Sequence, residues 1–388
     1  MSVQKFSFPT TIHFGAGASN LVADYLKSIG VLRPLIVTDR ALAALPIASK
    51  FAHKLADAGL AVQTFRDIWG NPMASMVGKG VKVFRSHGAD AVIGFGGGAA
   101  LDVAKLVALM ATNVGDDVLE YAWDHPHVRP ILNALPPFIA LPTTSGTGSE
   151  VGRSSVVSDD TTHVKKIVFS PQLLARVVFA DPVLTMDLPK QVTAATGMDA
   201  LSHNVESYLS PAYHPLCDGI ALEGVRIAAR ALPVAVREPS NLQARSDMMM
   251  ASMMGAIAFQ KDLGAVHSCA HALSTVADLH HGLANGIMID HVMRFNLPAA
   301  ATKMAEMARV ANVPGVKTLN DQNAAVAFIK WLGTLKGELG IPAKLGEAGI
   351  NRSQIDALVA VAIDDICHQT NPRPVTREDF AKIFADAI

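Results

Sequence analysis

Over the first 185 or so residues, short runs of β-branched and aliphatic residues alternate with stretches in which apolar positions recur at helical spacing. "RPLIVTD" (33–39), "LAVQTFRDI" (60–68), "ADAVIGFGGG" (89–98) and "PFIALPTTSG" (137–146) each hold an apolar core and end in turn or polar residues, which predicts strands. Between them, "ALAALPIASKFAHKLADAG" (41–59) and "MVGKGVKVFRSHG" (76–88) read as helices. Strands that alternate with helices are joined by crossovers and run parallel, so the pattern predicts a doubly wound, Rossmann-like α/β domain. Its ligands belong at the carboxyl ends of the strands.

From about residue 189 the texture changes. Ala, Met, Leu and His dominate "ALEGVRIAARALPVAV", "ARSDMMMASMMGAIAF" and "AAVAFIKWLGTLKGEL", with few β-branched runs, which predicts an all-helical second domain. Pro182 and Pro189 punctuate "FADPVLTMDLPKQ", so the expected division is residues 1–185 and residues 186–388. The Met-rich patch 248–254 reads as core.

Composition narrows the function. Half of the 388 residues are apolar and 17% are charged, which fits a globular protein with a large interior and argues against disorder. A formal net charge of -1 gives no electrostatic case for a nucleic-acid partner. "MSVQKFSFPTTIHFGAGASN" lacks a basic leader followed by a continuous apolar core, and no apolar stretch reaches the length that spans a bilayer, so neither export nor a membrane partner is expected. Cys217, Cys269 and Cys367 are odd in number and lie far apart, which suggests neither a disulfide framework nor a thiolate zinc site and makes a reducing cytoplasm the simplest home.

Two loops read as nucleotide sites, although the first is not G-x-G-x-x-G and a glycine-rich strand-to-helix turn can also be a plain tight turn. In "GFGGGAALDVAK", Gly96, Gly97 and Gly98 follow a predicted strand and open a predicted helix, whose unpaired N–H groups suit a pyrophosphate; Asp102 sits early in that helix. "LPTTSGTGSE" follows another strand and offers the hydroxyls of Thr143, Thr144, Ser145 and Thr147. Asp39 closes the strand "PLIVTD", where a carboxylate accepts hydrogen bonds from ribose hydroxyls and repels a 2′-phosphate, favouring NAD over NADP; the same carboxylate can cap the helix that follows.

Histidines in the helical half carry the other chemistry. Asp199 and His203 stand four positions apart in "TGMDALSH", and so do His267 and His271 in "GAVHSCAH", so that each pair projects from one helix face and can present two ligands to a divalent cation. With His280 and His281 of "DLHHGLANG" there are more candidates than one metal needs, so some of these residues do something else.

These segments, with "HFGAG", "ATGMDALSHNVESY", "GLANGIMIDHV" and "NPRPVTREDF", make the chain resemble the iron-containing, group III alcohol dehydrogenases nearly end to end. The resemblance implies an N-terminal nucleotide-binding domain and a C-terminal helical domain of the dehydroquinate synthase-like type, with metal and substrate in the cleft between. It places the metal ligands on Asp199, His203, His267 and His281, and it makes His271 the residue near the nicotinamide that assists proton transfer or positioning. Cofactor contacts carry over to Asp39, Asn71, Gly96, Gly97, Gly98, Asp102, Thr143, Thr144, Thr147 and Leu184, and less securely to Lys166. Ala99 and Ala100 depart from the family's glycine motif, which usually continues with Ser, at the cost of one hydroxyl contact at most.

The implied reaction passes hydride between NAD(H) and a small alcohol or aldehyde, with Fe²⁺ as the resident metal and Zn²⁺ admitted by the same ligand chemistry. Arg153, Gln260 and Lys261 flank the site motifs and suggest an acidic substrate, a semialdehyde or hydroxy acid; salt bridging is the other use for the two cations. A metal- and NAD-dependent lyase of the dehydroquinate synthase type is the alternative activity. The apolar composition allows a homodimer or larger homo-oligomer.

Overall fold

The computed structural model describes Phe8, residues 10–113, Gly115 and residues 117–388; residues 1–7, within the stretch read for a leader, lie outside it. The described chain forms two compact units, one of Phe8–Thr144 with Gly148–Thr185, the other of Ser145–Thr147 with Met186–Ile388.

In the first unit, strands β1 (Thr11–Phe14), β2 (Pro34–Val37), β3 (Gln63–Phe65), β4 (Ala91–Gly96), β5 (Phe138–Pro142) and β8 (Val177–Ala180) form a parallel sheet in the order β1-β8-β5-β4-β2-β3. β4 and β5 are buried at every position, as expected of central strands covered on both faces. The four strands read from the sequence are β2 to β5. β1 and β8 are additions to that reading: β1 is only partly buried and carries no continuous apolar run, and β8 runs into the proline-punctuated stretch. An antiparallel hairpin, β6 (Ser154–Ser158) with β7 (Lys165–Phe169), is the other addition.

Segment 41–59 forms two helices, Arg40–Ala43 and Pro46–Asp57. Pro46 supplies no N–H and keeps Leu45 extended, so the helix restarts there.

The second unit is helical among its described residues. Its long helices are Lys190–Leu209, Pro215–Arg237, Leu242–Ala258, Ala265–Ala277, His281–Val310 and Asp321–Leu339. The Lys190–Leu209 helix is buried on nearly all sides, which is why its sequence shows little amphipathic contrast. Met248, Met249 and Met253 are buried as core. Ser145–Thr147 packs with these helices although both flanking segments belong to the sheet unit: a Cβ on Gly146 would lie 2.8 Å from Thr196 Cβ, and Ser252 donates to the Gly146 carbonyl at 3.1 Å. Among the described residues no helix is long and apolar enough to cross a membrane.

Candidate metal centre and nucleotide loops

Four of the sequence-predicted residues meet around one oxygen. Asp199 Oδ1 lies 3.9 Å from His203 Nε2, 3.7 Å from His267 Nε2 and 3.4 Å from His281 Nε2. The helix Lys190–Leu209 supplies Asp199 and His203, Ala265–Ala277 supplies His267, and His281 is the first residue of the next helix. Glycines let these helices close up. A Cβ on Gly282 would stand 2.4 Å from the Ala195 carbonyl oxygen, and one on Gly255 would stand 2.8 Å from His203 Cβ.

The cage fits a divalent cation. Donor atoms bonded at about 2.1 Å in a tetrahedral site stand about 3.4 Å apart, close to the three separations from Asp199 Oδ1. Three imidazoles and one carboxylate suit iron or zinc by donor chemistry. Asn285, one turn beyond His281, donates from Nδ2 to Asp199 Oδ1 at 2.8 Å and lies 3.3 and 3.2 Å from the Nε2 atoms of His267 and His281. Its carbonyl oxygen is buried and finds no donor among the described residues.

Charge is balanced locally. Burial alone would raise the Asp199 carboxyl, but His203, His281 and His267 hold it far below the usual carboxylate range. Burial lowers His203 to about 4 against the pull of Asp199. For His267, burial opposes protonation, yet Asp199 and Glu206 lift it to about 9.

Glu206 and Asp365 carry out supporting work that the sequence reading did not assign. Glu206 Oε2 lies 2.6 Å from His267 Nδ1, and its Oε1 accepts from Val266 N, so the ring turns Nε2 toward the cage. Positions 199, 203 and 206 share one helix face, a spacing that could have flagged the glutamate. His271 stands beside the cage, its ring centroid 5.2 Å from that of His281, with Nδ1 2.8 Å from Asp365 Oδ2. Ser268 Oγ and Cys367 N also donate to Asp365, at 2.8 and 2.9 Å. Asp365 lies far along the chain, where no local pattern marks it. His280 is not in the cage; it is an exposed cap that accepts from Leu283 N.

In the sheet unit the predicted nucleotide residues gather at the carboxyl ends of β2, β4 and β5. A Cβ on Gly96 would stand 2.6 Å from Ala100 Cβ and 3.5 Å from Asp39 Oδ2, and one on Gly97 would stand 3.1 Å from Thr144 Cγ2. The small side chain at position 100 is therefore part of the turn's geometry. Thr143 N donates to the Gly96 carbonyl at 3.0 Å, which joins the two loops, and Gly98 begins the helix Gly98–Thr112. Asp39 caps the next helix by accepting from Leu42 N at 2.8 Å.

The remaining predicted residues are more dispersed. Asp102 accepts from Ser149 Oγ at 2.6 Å and from Val156 N at 3.0 Å, so it ties the glycine-loop helix to β6. Lys166 donates to Asp124 at 2.6 Å on the hairpin. Asn71 lies in the loop after β3, Leu184 is buried after β8, and Thr147 sits in the segment that joins the helical unit.

The residues read as contacts to an acidic substrate have other partners. Lys261 is buried with its ammonium on Asp218, because a lysine enclosed by helices needs a carboxylate. Gln260 donates to the Ile257 carbonyl at 3.0 Å, and the Arg153 guanidinium lies 5.6 Å from the centre of the Phe169 ring.

Comparison with known proteins shows the family. The family model described as iron-containing alcohol dehydrogenase matches residues 9–182, and the one for the C-terminal part of the Fe-containing alcohol dehydrogenase family matches residues 193–388. The chain is 36% identical to a 1,3-propanediol dehydrogenase of Klebsiella pneumoniae over the full length of both. It is 36% identical to a 4-hydroxybutyrate dehydrogenase of Cupriavidus necator over 98% of each. A crystal structure of a 1,3-propanediol oxidoreductase superposes with a TM-score of 0.94 at 35% identity, covering 99% of this chain and all of the other. The chain belongs to the iron-containing alcohol dehydrogenase family.

Proposed function

We propose that this protein interconverts a small primary alcohol and its aldehyde, using NAD(H) and an Fe²⁺ ion held by Asp199, His203, His267 and His281. The observation that carries the reading is the cage itself: three imidazole Nε2 atoms within 3.4–3.9 Å of a single buried carboxylate oxygen. Residues 1–185 serve as the dinucleotide-binding domain and residues 186–388 as the metal and substrate domain. A divalent cation in the cage supplies Lewis acidity, which makes an alcohol oxygen more acidic and a carbonyl carbon more electrophilic, while the nicotinamide accepts or gives the hydride.

The chain's own groups do the rest. Glu206 fixes the direction of His267. Asp365 occupies His271 Nδ1, so Nε2 is the atom left to take up or return the alcohol proton. Gly96, Gly97 and Thr144 leave backbone and hydroxyl donors for the cofactor, and the Asp39 carboxylate beside Gly96 favours an unphosphorylated ribose.

We place neutral short alcohols and diols first as substrates, because Lys261 is taken up by Asp218. A hydroxy acid is the second reading, supported by the 4-hydroxybutyrate dehydrogenase among the relatives. Zn²⁺ is an alternative occupant of the same donors. A reducing cytoplasm and a homo-oligomer complete the proposal, supported by three free cysteines and by the apolar composition.

The test is anaerobic purification with metal analysis, then NADH- and NADPH-linked turnover of 3-hydroxypropionaldehyde, butyraldehyde and succinic semialdehyde. Iron bound near one per chain and NADH-dependent reduction are expected. Turnover that survives complete removal of metal would reject the reading.

A further inference from the structure

We propose that a small cavity against Arg245 is an internal binding site for a monatomic anion, chloride in the first instance. The cavity leaves about 10 Å³ for the centre of a water-sized sphere and is lined by Ser145, Thr193, Thr196, Leu188 and Met248 besides Arg245. Its chemistry is dominated by one group. Arg245 is 2% exposed, donates from Nε to the Pro239 carbonyl at 2.9 Å and from Nη1 to Thr193 Oγ1 at 2.8 Å, and its Nη2 finds no acceptor among the described residues.

Neither hydrogen-bonded partner is a carboxylate. Asp187, whose charge favours the guanidinium, lies on the surface and makes no hydrogen bond to it among those described. A buried cation left in that state is costly, both for its charge and for its unused donor. A water molecule would satisfy the donor alone. A monovalent anion satisfies the donor and offsets the charge. The room is enough for a single small sphere, so a monatomic anion is the simplest occupant that answers both the donor and the charge.

Occupancy would act on a defined part of the chain. Ser145 begins the three-residue segment that packs with the helices, and Gly146 behind it is fixed by Ser252 and by close approach to Thr196. An anion between Arg245 and Ser145 adds a third tie to this segment.

The test uses the whole holoenzyme. Crystals soaked in sodium bromide, measured at the bromine absorption edge, should show an anomalous peak within hydrogen-bond distance of Arg245 Nη2; no peak there, with the cavity left to water, overturns the proposal. In solution, chloride should raise the melting temperature by roughly 2 °C over gluconate at equal ionic strength. That difference should disappear in Arg245→Met, and a difference that persists in the folded variant also overturns it. Because the bromide measurement uses the unmodified chain, the proposal stays testable if the variant does not fold.

Discussion

Glu206 Oε2 lies 2.6 Å from His267 Nδ1, and both side chains are almost fully buried. This pair sets which nitrogen of His267 reaches the cage. Replacing the carboxylate by an amide keeps the shape and removes the charge that raises the ring's basicity. Glu206→Gln should weaken iron binding about 10- to 100-fold, read as metal content after dialysis and as faster loss of metal to a chelator. An unchanged rate of metal loss would show that Glu206 acts on folding alone.

His271 and Asp365 make a second such pair, outside the cage. Burial would raise Asp365, but His271, Ser268 and Cys367 N together keep it well below the ordinary carboxylate range, so it stays charged beside the imidazole. Asp365→Asn should lower kcat roughly 10- to 100-fold and alter the pH–rate profile, while metal content stays that of the parent protein. A normal profile with normal kcat would remove the pair from proton transfer.

How much of this was legible follows from where each signal lies. β2, β4, β5 and the glycine turn announce themselves because a central parallel strand is a continuous apolar run and a strand-to-helix turn needs residues without Cβ. Asp199 and His203 are visible because helix periodicity puts i and i+4 on one face. Asp365 and Asn285 are different. Each acts through distance in space, from a separate element or from beneath a ligand, and a carboxylate or amide in a helical stretch reads like any other polar residue. Lys261 shows a third case: a cation near the motifs reads equally as a substrate contact or a salt-bridge partner, and only the structure brings its ammonium onto Asp218.

Asp39 has two roles that substitutions can separate. Its carboxylate accepts from Leu42 N and stands near Gly96. Asp39→Asn retains the cap acceptor but not the charge, so it should raise NADPH use relative to NADH with little loss of stability. Asp39→Ala should do the same and also lose about 1 kcal/mol from the missing cap. Steady-state kcat/KM for both cofactors, with urea unfolding of the two variants, checks each half separately.

Lys261→Met removes a buried ammonium and leaves Asp218 without its partner. The expected result is a loss of about 1–3 kcal/mol in stability, with the ratio of kcat/KM for succinic semialdehyde over butyraldehyde unchanged. A selective loss of activity on the acid would return Lys261 to the substrate site.

Glu150 gives the sheet unit a pH dependence whose sign can be worked out. Burial lifts its carboxyl from 4.5 to about 7, only partly offset by Lys105, and it is 2% exposed. Between those two values the folded chain holds a proton that the unfolded chain has released. Stability from this group is therefore fully present below about pH 4.5 and is lost as pH rises through about 7, a change of about 3 kcal/mol at most. Glu150→Gln stays neutral throughout, so its stability relative to the parent should rise between pH 4 and pH 8. Urea midpoints at the two pH values measure the difference directly. If parent and variant keep the same gap at both, the carboxyl is charged in the folded state, and Lys105 compensates it more fully than its bonds to Ser149 and Ser154 imply.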